Sequence, residues 1–333
     1  MAQKYASEQP QGLKNHIEKV AIVGAGGQVG KFIVDELLKI GKHKITALTR
    51  EDSTNKIPSG VEVVKVDYND PSSLIEALKG QDALIITMAV TASPDQQTKL
   101  IDAAAAAGVP WILPNEFGGD PTELEMQKDN FLGERKAKYR DHIEKLGKSS
   151  WIGLICNYWY EYSLGGGSSR YGFDFKTRTV TFYDDGNTCI NTTTWPQTGR
   201  AVAKLLSLKV YKDNANDKSA CLNDFRNNYV YVSSFNISQK DMLDSVLRVT
   251  GTSLKDWTVN YEPAKERYKS GVEEFQKGNM LGFAKLLYAR SFYPDKCGNY
   301  EATKGLHNDI LGLPKENLDE YTKIAIETAE NNG

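Results

Sequence analysis

The sequence predicts an α/β protein, a doubly wound parallel sheet with a smaller, partly discontinuous α/β lobe. Two observations carry this. Short apolar runs alternate with helical patterns through the first half, six strands in all, and such alternation implies right-handed crossovers between parallel strands. A glycine-rich turn, Gly24-Ala25-Gly26-Gly27-Gln28-Val29-Gly30, separates the first strand from its helix. The length, 333 residues, exceeds the ~150 of an average domain and leaves room for a second lobe.

Residues 1–18 read as a polar tail. Lys19 to Val23 is an apolar run suited to a buried parallel strand, and residues 28–40 carry apolar positions at helical spacing, with Gly41 as the stop. Lys44 to Thr49 and Val61 to Val66 give the second and third strands. Asp70 is an N-cap ahead of Pro71, and Gly80 closes that helix. Ala83 to Met88 is the fourth strand, Asp95 to Ala107 a helix ended by Gly108, and Trp111 to Pro114 the fifth strand. Pro121 to Leu146 is mostly helical and Trp151 to Cys156 is the sixth strand. Beyond it, Thr179 to Tyr183 and Tyr229 to Ser233 read as strands. Thr198 to Ser207, Ser238 to Val249 and Leu318 to Glu330 read as helices, and Ser238 with Asp241 forms a capping-box pattern.

Composition excludes several classes. Lys plus Arg is 41 against 43 for Asp plus Glu, so the net charge of −2 argues against a direct nucleic-acid binder. No apolar run approaches the ~18 residues of a membrane span. Cys156, Cys189, Cys221 and Cys297 form no CxxC, and His16, His43, His142 and His307 are dispersed, so no metal site is expected. The polar start lacks an apolar signal core, which points to a cytoplasmic chain with reduced thiols and unglycosylated sequons at Asn191 and Asn236.

The glycine turn matches GxxGxxG on Gly24, Gly27 and Gly30 rather than GxGxxG. Gly24 makes the tight turn, Gly26 or Gly27 lets backbone amides approach a pyrophosphate, and Gly30 permits close helix–strand packing. Gln28 and Val29 belong to the same cradle, at the positive end of the helix dipole. Arg50, not an acid, ends the second strand, with Lys56 beyond it. A guanidinium there suits the 2′-phosphate of NADP, although Glu51 and Asp52 follow directly. Asp67 reads equally as an adenine-side contact or as a turn residue. The strand ends facing such a cofactor add Thr87, Asn115 and Phe117. Residues 19–156 therefore read as an NADP-binding Rossmann domain and 157–333 mainly as a substrate domain, with later strands free to rejoin the first sheet.

Several ordered features resemble the NmrA-like and isoflavone reductase-like branch of the atypical short-chain dehydrogenases. They are the glycine turn with Arg50, Pro114-Asn115-Glu116-Phe117-Gly118, Lys136-Ala137-Lys138-Tyr139-Arg140, Ile143-Glu144 with Gly147, and Asn157. The resemblance covers about residues 19–165. It implies NADPH as cofactor, a small aromatic or conjugated carbonyl-type substrate, possible dimerisation, a place in secondary metabolism, and Lys136 as catalytic residue, with Arg135 and Lys138 as decoys. Asn115 stands where the plant reductases have Ser, which alters the hydrogen bonding beside the nicotinamide. A lysine lining an apolar pocket can have its pKa lowered from ~10.4 toward neutrality, fitting it to protonate an alkoxide or deprotonate a phenol. The resemblance also places Asn157, Tyr158, Trp159 and Tyr160 at the pocket mouth, against the plain alternative of core packing between the lobes. Tyr261-Glu262-Pro263-Ala264-Lys265, a Tyr-x-x-x-Lys match, reads as coincidence. The rival to the enzyme is a non-enzymatic NADP-sensing regulator acting through a protein partner, and a non-redox user of the fold is a third reading.

Overall fold

A computed structural model describes residues 5–89 and 92–331, and for Glu134 and Arg135 the backbone alone. The first half alternates β1 (Lys19–Val23), α1 (Gly30–Ile40), β2 (Lys44–Arg50), β3 (Glu62–Val66), α2 (Pro71–Leu78) and β4 (Ala83–Ile86). It continues through α3 (Pro94–Ala107), β5 (Trp111–Leu113), α4 (Leu124–Asp129), α5 (Gly133–Leu146) and β6 (Ser150–Ile155). Val20, Ala21 and Ile22 of β1 are wholly buried, as both faces of a parallel sheet must be once helices cover them. Asp70 accepts from the Ser72 amide at 2.9 Å, capping α2 with Pro71 at its first position. The helix expected over 121–146 is two helices. Phe131 between them adopts φ 60°, and the Asn130 side chain accepts the Leu132 amide at 3.0 Å.

The second half contains β7 (Tyr158–Trp159), α6 (Tyr160–Leu164), β8 (Phe173–Asp174), β9 (Thr179–Tyr183), β10 (Ile190–Thr193) and α7 (Trp195–Leu206). Then come β11 (Asn228–Tyr231), β12 (Phe235–Ile237), α8 (Gln239–Thr250), β13 (Thr258–Glu262), α9 (Ala264–Gln276), α10 (Met280–Ser291), α11 (Tyr300–Lys304) and α12 (Leu318–Asn331). The main sheet has seven parallel strands in the order β11-β6-β5-β4-β1-β2-β3. Its order reverses between β1 and β4, the crevice where ligands bind in such sheets. Two three-stranded sheets, β12-β10-β7 and β13-β9-β8, build the second lobe.

Chain and lobe do not coincide. α7 packs on α1 so closely that a Cβ on Gly199 would lie 2.4 Å from the Phe32 carbonyl oxygen, and β11 completes the sheet beside β6. One core therefore lies under α1 and α7, a second under α2, α3 and α5, and a third inside the second lobe. The stretch read as a polar tail is anchored from residue 5 onward. Tyr5 bridges to Lys212, Asn15 donates to the Tyr211 carbonyl at 2.9 Å, and Ile17 is buried. Ser238 and Asp241 form the expected capping box. Among the described residues no helix is long and apolar enough to cross a membrane.

Candidate active site

The glycine turn is tight for internal reasons first. Gly24 has φ 83°, and a Cβ there would lie 1.9 Å from the Thr87 carbonyl oxygen. A Cβ on Gly30 would lie 2.0 Å from the Gly24 carbonyl oxygen. Thr87 seals the turn by donating its hydroxyl to the Val23 carbonyl at 2.8 Å. Gly26 is small because the loop after β2 lies on it, with Lys56 O 2.4 Å from where its Cβ would be. Gly27, whose amide donates to Gly24 O at 2.8 Å, meets the turn's own backbone, with Gly24 O 3.0 Å from where its Cβ would be. Val29 is buried and anchors the turn, whereas Gln28 is exposed at its rim. The first turn of α1 bonds back onto the glycine turn, Lys31 N to Gly27 O at 3.2 Å and Ile33 N to Val29 O at 3.1 Å, and its start is the positive end of the helix.

Around this cradle the cations are Lys31, Arg50 and Lys56, all exposed. Arg50 is the last residue of β2, and its guanidinium lies 3.4 Å from the Asp52 carboxylate, with 58% of the side chain exposed. A pair so exposed contributes little to stability and leaves the guanidinium available to a phosphate. Asp67 is exposed and accepts the Asn69 amide at 2.8 Å, which is a turn role. Glycine cradle, helix end and Arg50 together fit a dinucleotide carrying a 2′-phosphate.

The loop after β5 brings polar and charged side chains together. Asn115, expected beside the nicotinamide, braces two strand ends. Its Oδ1 accepts the Met88 amide at 3.2 Å and its Nδ2 donates to the Met88 carbonyl at 2.9 Å. Phe117 packs on the core beneath α1. Gly118 pairs with Ile155, and its carbonyl accepts the amides of Cys156 and Asn157. The Lys136 ammonium lies directly over this backbone, 3.6 Å from where a Gly118 Cβ would be. Glu116, which sequence reasoning passed over, is 1% exposed and bonds the Arg140 guanidinium at 2.5 Å. Arg140 in turn sits over the Trp151 and Tyr229 rings. Burial pushes the Glu116 carboxyl up, and the charges of Lys136 and Arg140 pull it back. Lys138 points into a different groove with Phe131, Tyr139 and His142, and the Arg135 side chain lies outside the described residues.

Of the four residues expected at the pocket mouth, three are interior ties. Asn157, at φ 52°, donates to the Asn191 carbonyl at 2.6 Å. Tyr158 donates to the Leu287 carbonyl at 2.7 Å and stacks on Tyr288 at 4.1 Å. Tyr160 is wholly enclosed, its hydroxyl 2.7 Å from Thr322 Oγ1. Only Trp159 reaches the lobe junction, where it packs on the first core. From it an aromatic chain runs through Tyr162 and Trp195 to Phe32, with ring centroids 6.2, 6.2 and 5.8 Å apart. Glu161, also buried there, accepts the Trp195 amide, and burial raises its carboxyl to about 8. Neither Phe32–Trp195 nor Glu161 carried a sequence signal, since each depends on α7 returning to α1.

The NmrA-like family model matches residues 16–161. The oxidoreductase aprR of Aspergillus flavus is 30% identical over 91% of this chain and 96% of its own. The chain belongs to the NmrA-like family. It is an oxidoreductase of the isoflavone reductase-like type. The bifunctional pinoresinol-lariciresinol reductase 2 of Thuja plicata is 25% identical over 85% of this NmrA-like chain and 89% of its own. An isoflavone reductase crystal structure shares the fold at TM-score 0.70 and 21% identity, over 93% of this chain and 99% of that one. AtPrR2, solved with NADP+ and (+)-pinoresinol, does so at TM-score 0.69 and 22% identity, over 94% and 99%.

Proposed function

We propose that this NmrA-like oxidoreductase uses NADPH to reduce a small aromatic or conjugated carbonyl-type substrate, with Lys136 as the proton donor. The observation that carries the reading is the position of the Lys136 amine over Gly118, on the strand ends that also bear the glycine turn. The glycine cradle and Arg50 would hold the cofactor, which supplies the hydride. Lys136 would give a proton to the alkoxide or enolate oxygen that hydride addition leaves, becoming a neutral amine. Asn115 fixes the loop that orients this corner by tying it to Met88. The aromatic chain from Trp159 to Phe32 gives a flat substrate a surface to stack on. Names among the relatives and structural neighbours, reductases of pinoresinol and isoflavone type, support the substrate class.

The test is NADPH consumption across a panel of phenolic, quinone and enone substrates, with Lys136→Ala beside the wild type. The variant should bind NADPH normally and lose turnover by about 100-fold, the usual scale of a general acid. Full turnover in Lys136→Ala would remove the lysine from the mechanism. NADPH binding without consumption by the wild type, throughout the panel, would favour a sensor acting through a protein partner.

A further inference from the structure

We propose that Glu116 is a positioning residue that holds Lys136 in its ammonium form, so that the proton is in place before hydride arrives. The inference rests on Lys136 being the proton donor and adds the group that maintains it. Lys136 and Arg140 stand four residues apart on α5, a spacing at which like charges repel. That repulsion favours the neutral amine. Glu116 is the counter-charge. It is 1% exposed, its Oε1 is held by Arg140 at 2.5 Å, and its buried Oε2 makes no hydrogen bond among the described residues. Gly153 on β6 has no side chain to fill the space beside it. A Cβ there would lie 3.4 Å from Glu116 Oε2 and 2.7 Å from the Tyr229 ring, so the carboxylate is walled in beside the two cations.

The other groups facing this corner do not do the same work. On β11, Tyr229 and Tyr231 have their phenols pushed up by burial. Cys156 after β6 is pushed to about 12 by burial. These three are neutral at ordinary pH. Asp120 is turned to Thr122 and Tyr231, which both donate to its Oδ1. Glu116 is a buried acid whose charge couples to Lys136, and that coupling lowers the Glu116 carboxyl against its burial.

The experiment is competitive trace acylation of the full-length chain with acetic anhydride over a pH series, following the Lys136 peptide by mass spectrometry. In the wild type Lys136 should titrate in the ordinary lysine range. In Glu116→Gln, which keeps the shape and one hydrogen bond to Arg140, its titration should fall by about one pH unit or more. Glu116→Asp, which keeps the charge, should restore part of the shift. An unmoved titration in Glu116→Gln overturns the proposal. Should that variant not fold, a wild-type Lys136 titrating near neutrality overturns it equally, because the counter-charge would then not be acting. The readout needs no substrate. Turnover retained by Lys136→Ala would remove the donor role alone, whereas an unmoved titration would remove Glu116 and leave the donor standing.

Discussion

Glu161 makes the stability of this protein depend on pH in a calculable way. The side chain is 1% exposed, and among the described residues its carboxylate accepts from another residue only the Trp195 amide, at 3.2–3.3 Å. Loss of solvation is the largest influence and the nearby Glu316 carboxylate adds to it, so the acid titrates at about 8 in place of the ordinary 4.5. The folded chain therefore keeps a proton that the unfolded chain releases throughout that interval. Stability is unaffected below the unfolded value and falls as pH rises, until the folded group also ionises near 8. Each unit is worth ~1.4 kcal/mol, so the whole interval costs up to about 5 kcal/mol. Glu161→Gln retains an acceptor for Trp195 and has no proton to lose. Urea unfolding of both proteins should show similar stability at about pH 5 and a variant more stable by several kcal/mol at about pH 8. A stability difference that stays constant across this range would refute the reasoning, because Glu161 would then titrate alike in both states.

Three further outcomes follow from the geometry. Gly30→Ala places a Cβ 2.0 Å from a backbone oxygen, so the glycine turn must shift; overpacking of this kind costs about 1–3 kcal/mol, and thermal scans should show both a lower midpoint and a smaller NADPH-induced rise. Arg50→Ala should weaken NADPH binding about tenfold, ~1.4 kcal/mol, and leave NADH binding unchanged; equal losses for both would assign the guanidinium to the loop alone. Tyr160→Phe removes the bond to Thr322 in the second lobe and should cost ~1 kcal/mol of stability with KM unchanged, whereas a raised KM would return Tyr160 to the substrate site.

The first six strands were legible because burial on both faces and punctuation by Gly and Pro leave a strong local trace. Val20 to Val23 and Ala83 to Ile86 are examples, and Gly41 and Gly108 end their helices in the left-handed region as read. β7, β8, β10 and β12 were not legible, since these short segments, YW, FD, INTT and FNI, lack the run of three or more apolar residues that marks β4 and β5. In the candidate site the glycine turn lies between β1 and α1, as the sequence places it. The residue types alone could not say that Gly26 yields to Lys56 rather than to a ligand. Nor could they distinguish a Tyr-rich segment lining a pocket from one filling a core. Asn157, Tyr158 and Tyr160 turn inward because their partners, on the strand starting at Ile190, on α10 and on α12, lie up to 162 residues away.

The return of α7 and β11 to the first lobe bears on how the chain is made. When residues up to 161 have left the ribosome, six of the seven strands of the glycine-loop sheet exist. Yet β6, buried along its whole length in the finished protein, still presents an open edge, and α1 lacks the helix that covers it. Such an edge is a template for pairing with other chains. It closes only when Asn228–Tyr231 emerges, some 70 residues later. Three of the second lobe's six strands, β8, β9 and β10, are made in the meantime. The nascent protein thus has a window of vulnerability fixed by its topology, and a fragment cut near residue 161 would remain in that window permanently.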